Sequence, residues 1–163
     1  MAKPKHTIIL RGSTSLLLLI AAIVMLVSYQ KVDLMSIGTE FIAIYKDWDS
    51  FTASMIVGFI GSIYNFSVLF LPVGSMLWRL VLVVDMILSM LIGGSLSAAW
   101  QTFALIKNGA HHVGWFPICK VVPHFCSSVV GSLTVASIGL TLNLVLLLWS
   151  LHIVLNPLLL EEP

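Results

Sequence analysis

Residues Met86 to Ile106 read MILSMLIGGSLSAAWQTFALI, 21 residues without Asp, Glu, Lys or Arg, with Asp85 just before them and Lys107 just after. About 20 apolar residues, at 1.5 Å each, carry a helix across the roughly 30 Å of bilayer hydrocarbon. Three further stretches are equally free of charge: Gly12 to Gln30, Phe51 to Trp78 and Val121 to Leu160. The last is 40 residues long, enough on paper for two crossings. It opens with Pro123, His124 and Cys126, ends at Asn156-Pro157, and has no turn signal between Gly131 and Val154, so it reads as one long helix. The runs are continuous and lack the alternation of barrel strands, which favours helices.

The whole composition agrees. Of 163 residues, 59% are hydrophobic and 9% charged, with a mean hydropathy of +1.07, whereas a soluble domain carries roughly 25% charged residues. A disordered chain, a collagen repeat and a disulfide-dense scaffold are excluded by the hydrophobicity, the aperiodic glycines and the two cysteines. A net charge of +1 gives no field to recruit nucleic acid. The fold class is all-α, an integral membrane four-helix bundle. The expected map is an amino tail 1–7, helix 8–29, outer loop 30–50, helix 51–71, inner turn 72–76, helix 77–106, outer loop 107–126, helix 127–155 and a tail 156–163. The first helix follows Lys3, Lys5 and Arg11 as a signal peptide would, but the run ends Ser28-Tyr29-Gln30-Lys31 with no small-residue cleavage site, so it reads as a permanent span.

Both termini are expected in the cytosol. Total Lys and Arg on the two sides tie, and the start of the first helix tips the balance, with Lys3, Lys5 and Arg11 against two basic residues in the next loop. Cys119 and Cys126 then lie in an oxidising exterior loop, where they read as a disulfide, free thiols being the alternative. His111, His112 and His124 nearby raise a metal site, but their spacing with the cysteines matches no zinc pattern, and no metal or other cofactor is expected. Asp33, Glu40, Asp47 and Asp49 read as a solvated connector in the first outer loop.

Two charges border the lipid, where each costs about 2.5 to 3.5 kcal/mol at a helix centre. Arg11 immediately precedes the uncharged run of helix 1, and Asp85 that of helix 3. Pairing them neutralises both and ties two helices together; the alternative is that Arg11 snorkels and Asp85 sits at the interface. Arg79, six residues before Asp85, lies about 120° around the helix and is a poor competitor. Helix 3 carries Ser89, Gly93 and Ser97 at four-residue spacing, and helix 4 carries Ser128, Ser132 and Ala136 likewise. Such ridges allow close helix approach, within one bundle or between copies. Asn65 and Asn143 lie inside spans as candidates for interhelical hydrogen bonds, and the glycosylation pattern Asn65-Phe66-Ser67 falls in lipid. No phosphate loop, nucleophile elbow, HExxH or paired carboxylates are present, so no enzymatic activity is expected.

Together these residues resemble the plant Casparian strip membrane domain protein-like (CASP-like) family, relatives of the four-span MARVEL domain. The resemblance rests on Leu10-Arg11, Val24-Met25, Tyr45-Lys46-Asp47, Tyr64-Asn65, Asp85-Met86, Lys107-Asn108-Gly109, His112, Trp115, Ile118-Cys119 and Phe125-Cys126, in order across about Ile8 to Val154. It implies a multi-pass plasma-membrane protein with cytosolic termini, Arg11 and Asp85 as family hallmarks, and homo- and hetero-oligomers with related members. It also implies platforms that organise cell-wall-modifying proteins or a diffusion barrier. Strip-forming members carry an aromatic, Pro-containing signature in the first outer loop that Leu34 to Trp48 lacks, which points to a plasma-membrane domain other than the strip. The expected function is a non-enzymatic scaffold in the bilayer; the alternative is a small channel or transporter using Asp85.

Overall fold

The computed structural model describes residues 5–34, 39–71, 77–109 and 116–159. Four helices dominate: α1 Lys5–Val27, α2 Asp49–Leu69, α3 Leu77–Asn108 and α4 Pro123–Leu159. Each is long and apolar enough to cross a membrane. Helix is what such sequences must form in hydrocarbon, because no water is there to take backbone N–H and C=O groups. α1 packs on α2 and α4, and α3 packs on the same two, so the helices form a ring in chain order with α1 diagonally across from α3. The inner turn expected at 72–76 lies outside the described residues.

The ends of the helices follow local chemistry. α1 stops at Ser28, whose N–H reaches Met25 O at 3.1 Å and whose hydroxyl reaches Val24 O at 2.7 Å. α3 runs through Lys107 and Asn108 and closes on Gly109, whose φ of 70° and N–H to Leu105 O at 2.9 Å make a left-handed cap. α4 begins at Pro123 instead of 127, because proline at a first helical position forfeits only an N–H that has no partner there anyway. It also runs to Leu159 instead of 155, with Pro157 in its last turn, where the missing donor removes one bond.

The first outer loop departs from the expected solvated connector. Residues Tyr29–Leu34 (β1) and Thr39–Ile44 (β2) form an antiparallel hairpin, in register from Tyr29 opposite Ile44 to Leu34 opposite Thr39. A short 3-10 turn, Tyr45–Asp47, leads from it into α2. The charges that suggested a loop sit within a polar–apolar alternation, Lys31-Val32-Asp33-Leu34, which is the period of a strand with one covered face. The hairpin closes over a core of Met25, Phe51, Phe103, Ile106, Val122 and Phe125, with Ala43 and Tyr45 buried in it.

Candidate functional site

The site is a polar network in the half of the bundle away from the hairpin, where α1 and α3 begin and α2 and α4 end. Arg11 lies in the second turn of α1 and Asp85 in the third turn of α3. The structure brings them together across the diagonal: Arg11 Nη2 donates to Asp85 Oδ2 at 2.6 Å and Nη1 to Oδ1 at 3.2 Å. This fork-to-fork geometry suits a planar guanidinium and a carboxylate, and both residues are at most 3% exposed. Tyr64 of α2 donates its hydroxyl to Val81 O of α3 at 2.9 Å, holding the entry of α3 beside the pair.

The pair is tied to the other two helices by the asparagines. Arg11 Nη1 also reaches Asn65 Oδ1 at 3.4 Å, and Asn65 Nδ2 donates to Gly61 O at 3.0 Å and to Asn143 Oδ1 at 3.4 Å. Asn143 Nδ2 in turn donates to Ser89 Oγ at 2.8 Å, and Ser89 donates to the backbone of Asp85 at 2.7 Å. The circuit visits α1, α2, α4 and α3 and returns to its start. One donor, Arg11 Nε, is the only buried side-chain polar atom among the described residues without a partner. Next to the circuit, Ser15 of α1 and Ser62 of α2 each donate to the other's backbone carbonyl at 2.9 Å.

The small-residue ridges are split by this arrangement. On α4, Ser132 is buried and donates to Ala21 O of α1 at 2.7 Å; Ala136 is buried and Ser128 half-buried. On α3, Ser89 and Gly93 turn toward α4, where Gly93 faces Leu140, whereas Ser97 is exposed. Closer packing occurs at two glycines that the sequence reading did not single out. Leu18 of α1 is gripped between Gly61 of α2 and Gly139 of α4, where an added Cβ would lie 3.2 Å and 3.1 Å from its methyl groups. Neither glycine belongs to a four-residue ridge of small residues: at that spacing Val57 and Asn65 flank Gly61, and Val135 and Asn143 flank Gly139.

At the opposite end, Cys119 and Cys126 are bridged, with Cα atoms 5.6 Å apart. The bridge spans the 3-10 turn Ile118–Lys120 and the first turn of α4. Gln30 of β1 accepts the Phe125 N–H at 2.9 Å, satisfying one of the free donors at the start of α4 and seating the hairpin there. Sequence reasoning missed Gln30 because a lone amide in a loop has no periodicity. Lys107 and Asn108 are exposed on the last turn of α3, and His112 and Trp115 lie outside the described residues. His124 is exposed, and among the described residues no three His, Cys, Asp or Glu side chains converge as a metal site would require.

A family model described as the Casparian strip membrane protein domain matches residues 2–142. The chain belongs to the CASP-like family. It is 41% identical to CASP-like protein 1C1 of Arabidopsis thaliana over 144 residues, covering 88% of this chain and 87% of the relative. It is 39% identical to CASP-like protein 1C2 of Populus trichocarpa over 161 residues, 98% of each chain. No solved structure matches. The matched stretch of the CASP-like domain holds Arg11, Asn65, Asp85, Ser89 and both cysteines, and Asn143 is the first residue past it.

Proposed function

We propose that this CASP-like chain is a non-enzymatic plasma-membrane scaffold that oligomerises with itself and with related members into membrane domains. The observation that carries the reading is the closed circuit around Arg11 and Asp85. A membrane protein that moves ions or protons keeps ionisable groups available along a wetted path near the midplane. Here both carboxylate oxygens of Asp85 are taken by one guanidinium, and the asparagines and Ser89 bond to one another. The void at mid-bundle, between Leu18, Met25, Gly58, Ile92 and Ala136, holds about 10 Å³, at the lower limit for one water. Such chemistry fixes four helices into one block and leaves the loops to act.

The same reading places both termini in the cytosol and the hairpin and disulfide outside, where an oxidising environment favours the bridge. There the two loops face the cell wall and its modifying proteins. Mobility tests the proposal. A fluorescently tagged copy is expected to recover slowly after photobleaching and to size as an oligomer in mild detergent; free diffusion of a monomer would overturn it. The channel alternative has its own check: reconstituted protein is expected to give no ion flux above empty liposomes, and flux abolished by Asp85→Asn would favour the channel.

A further inference from the structure

The β1–β2 hairpin is a sheet of two strands, and among the described residues no backbone group of either strand bonds to a third strand. An unpaired strand edge is a template for another strand, and a two-stranded sheet is marginal alone. The hairpin has a defined underside. Gln30 is opposite Ala43, Gln30 bonds to the start of α4 and Ala43 is buried, so even positions of β1 belong to the face lying on the helix ends. Odd positions belong to the other face, where Tyr29 is 55% exposed and Lys31 is also exposed. The register also sets Asp33 opposite Glu40, and like charges directly opposite destabilise a strand pair.

Two copies in one membrane point the same way, so a twofold axis relating them runs along the membrane normal and keeps the same sheet face down in both. Directly opposite residues share a face. Antiparallel pairing of β1 with β1 must then set odd positions against odd, which puts the axis through a residue. Through Lys31 it sets Lys31 against itself, and through Asp33 it sets Asp33 against itself. Through Gln30 it leaves Asp33 unmatched. Only through Val32 does it set Lys31 opposite Asp33, twice, over positions 30 to 34.

We propose that the β1 edge pairs with β1 of a second copy about Val32, joining two hairpins into one four-stranded sheet at the loop end of the bundle. The proposal rests on the scaffold reading for self-association and adds the surface and register that perform it. Each Lys31 then stands opposite Asp33 of the other copy, bringing a cation to the strand position where the register sets Asp33 across from Glu40.

The test uses full-length protein in native membranes, with Cys119 and Cys126 kept. Directly opposite strand residues have Cα atoms about 4.5 to 5.5 Å apart, within disulfide reach. Val32→Cys is therefore expected to give a disulfide-linked dimer on mild oxidation. Lys31→Cys alone and Asp33→Cys alone are not expected to link, but the two co-expressed are. Adding Lys31→Asp to Val32→Cys should lower dimer yield several-fold, and adding Asp33→Lys as well should restore it. Size analysis on the same membranes separates the two readings. Val32→Cys unlinked in a protein that still sizes as an oligomer overturns the pairing and leaves the scaffold standing. Unlinked and monomeric overturns both. Linkage indifferent to Lys31→Asp overturns the register.

Discussion

Arg11 and Asp85 illustrate how a buried ion pair constrains more than it stabilises. Desolvating the two groups consumes much of their attraction, whereas removing one partner strands the other charge, at a cost of about 3 to 5 kcal/mol. Arg11→Gln and Asp85→Asn are each expected to lower the unfolding temperature in detergent and to reduce surface delivery. The exchange Arg11→Asp with Asp85→Arg should recover part of the loss, because it restores opposite charges but not the fork seated against Asn65. Asn143→Leu removes bonds to Asn65 and Ser89. Measured interhelical hydrogen bonds average about 0.6 kcal/mol and reach about 1.7, so its shift in the same assay should be the smaller. The pair was legible from the sequence, because charge beside lipid demands an explanation. The circuit through Asn143 was legible only as a residue type, since nothing local says which of the other three helices an asparagine meets.

Among the elements, the contrast is between helices whose existence composition dictated and a hairpin it concealed. Charge-free runs set the four spans to within a few residues, and the errors fell at prolines and caps, where one residue changes the bonding. The hairpin escaped because Lys31, Asp33 and Glu40, though a minority of its residues, read as the charges of a solvated loop, while the alternation in β1 is short. Helix contacts were harder still. The ridge Ser128-Ser132-Ala136 was visible, yet the tightest fit is around Leu18, which looks like any other leucine. Gly139→Leu is expected to destabilise the bundle by about 1 to 3 kcal/mol through overpacking against Leu18. Gly94→Leu, at a position open around its Cα, should change little by the same thermal measurement. At the loop end, Cys119→Ser opens a ring of about eight residues, worth about 2 to 3 kcal/mol in the chain-entropy account. The accompanying loss of order should appear as faster deuterium uptake at Phe125 and Gln30.

Over the whole molecule, the two ends do different work. The polar circuit clamps the half where α1 and α3 begin, while the disulfide, the hairpin and the aromatic core under them close the other half. Between them the side faces are lined by exposed apolar side chains such as Ile56, Ile60, Ile63, Met90 and Leu91, suited to lipid. A chain built this way presents chemistry chiefly at its ends, which suits a part in an assembly. Family membership was legible in the sequence because its marks are spread in order over the spans; the partners are not, because recognition depends on which loop surfaces meet.

Arg11 and its carboxylate are 74 positions apart in the chain. During synthesis, α1 leaves the ribosome and enters the translocon long before α3 exists, so the guanidinium waits at the rim of the bilayer without its partner. Pairing therefore waits until α3 has been made. A chain ending before α3 is expected to be degraded quickly in a pulse-chase, and Arg11→Leu in that truncated chain to lengthen its half-life.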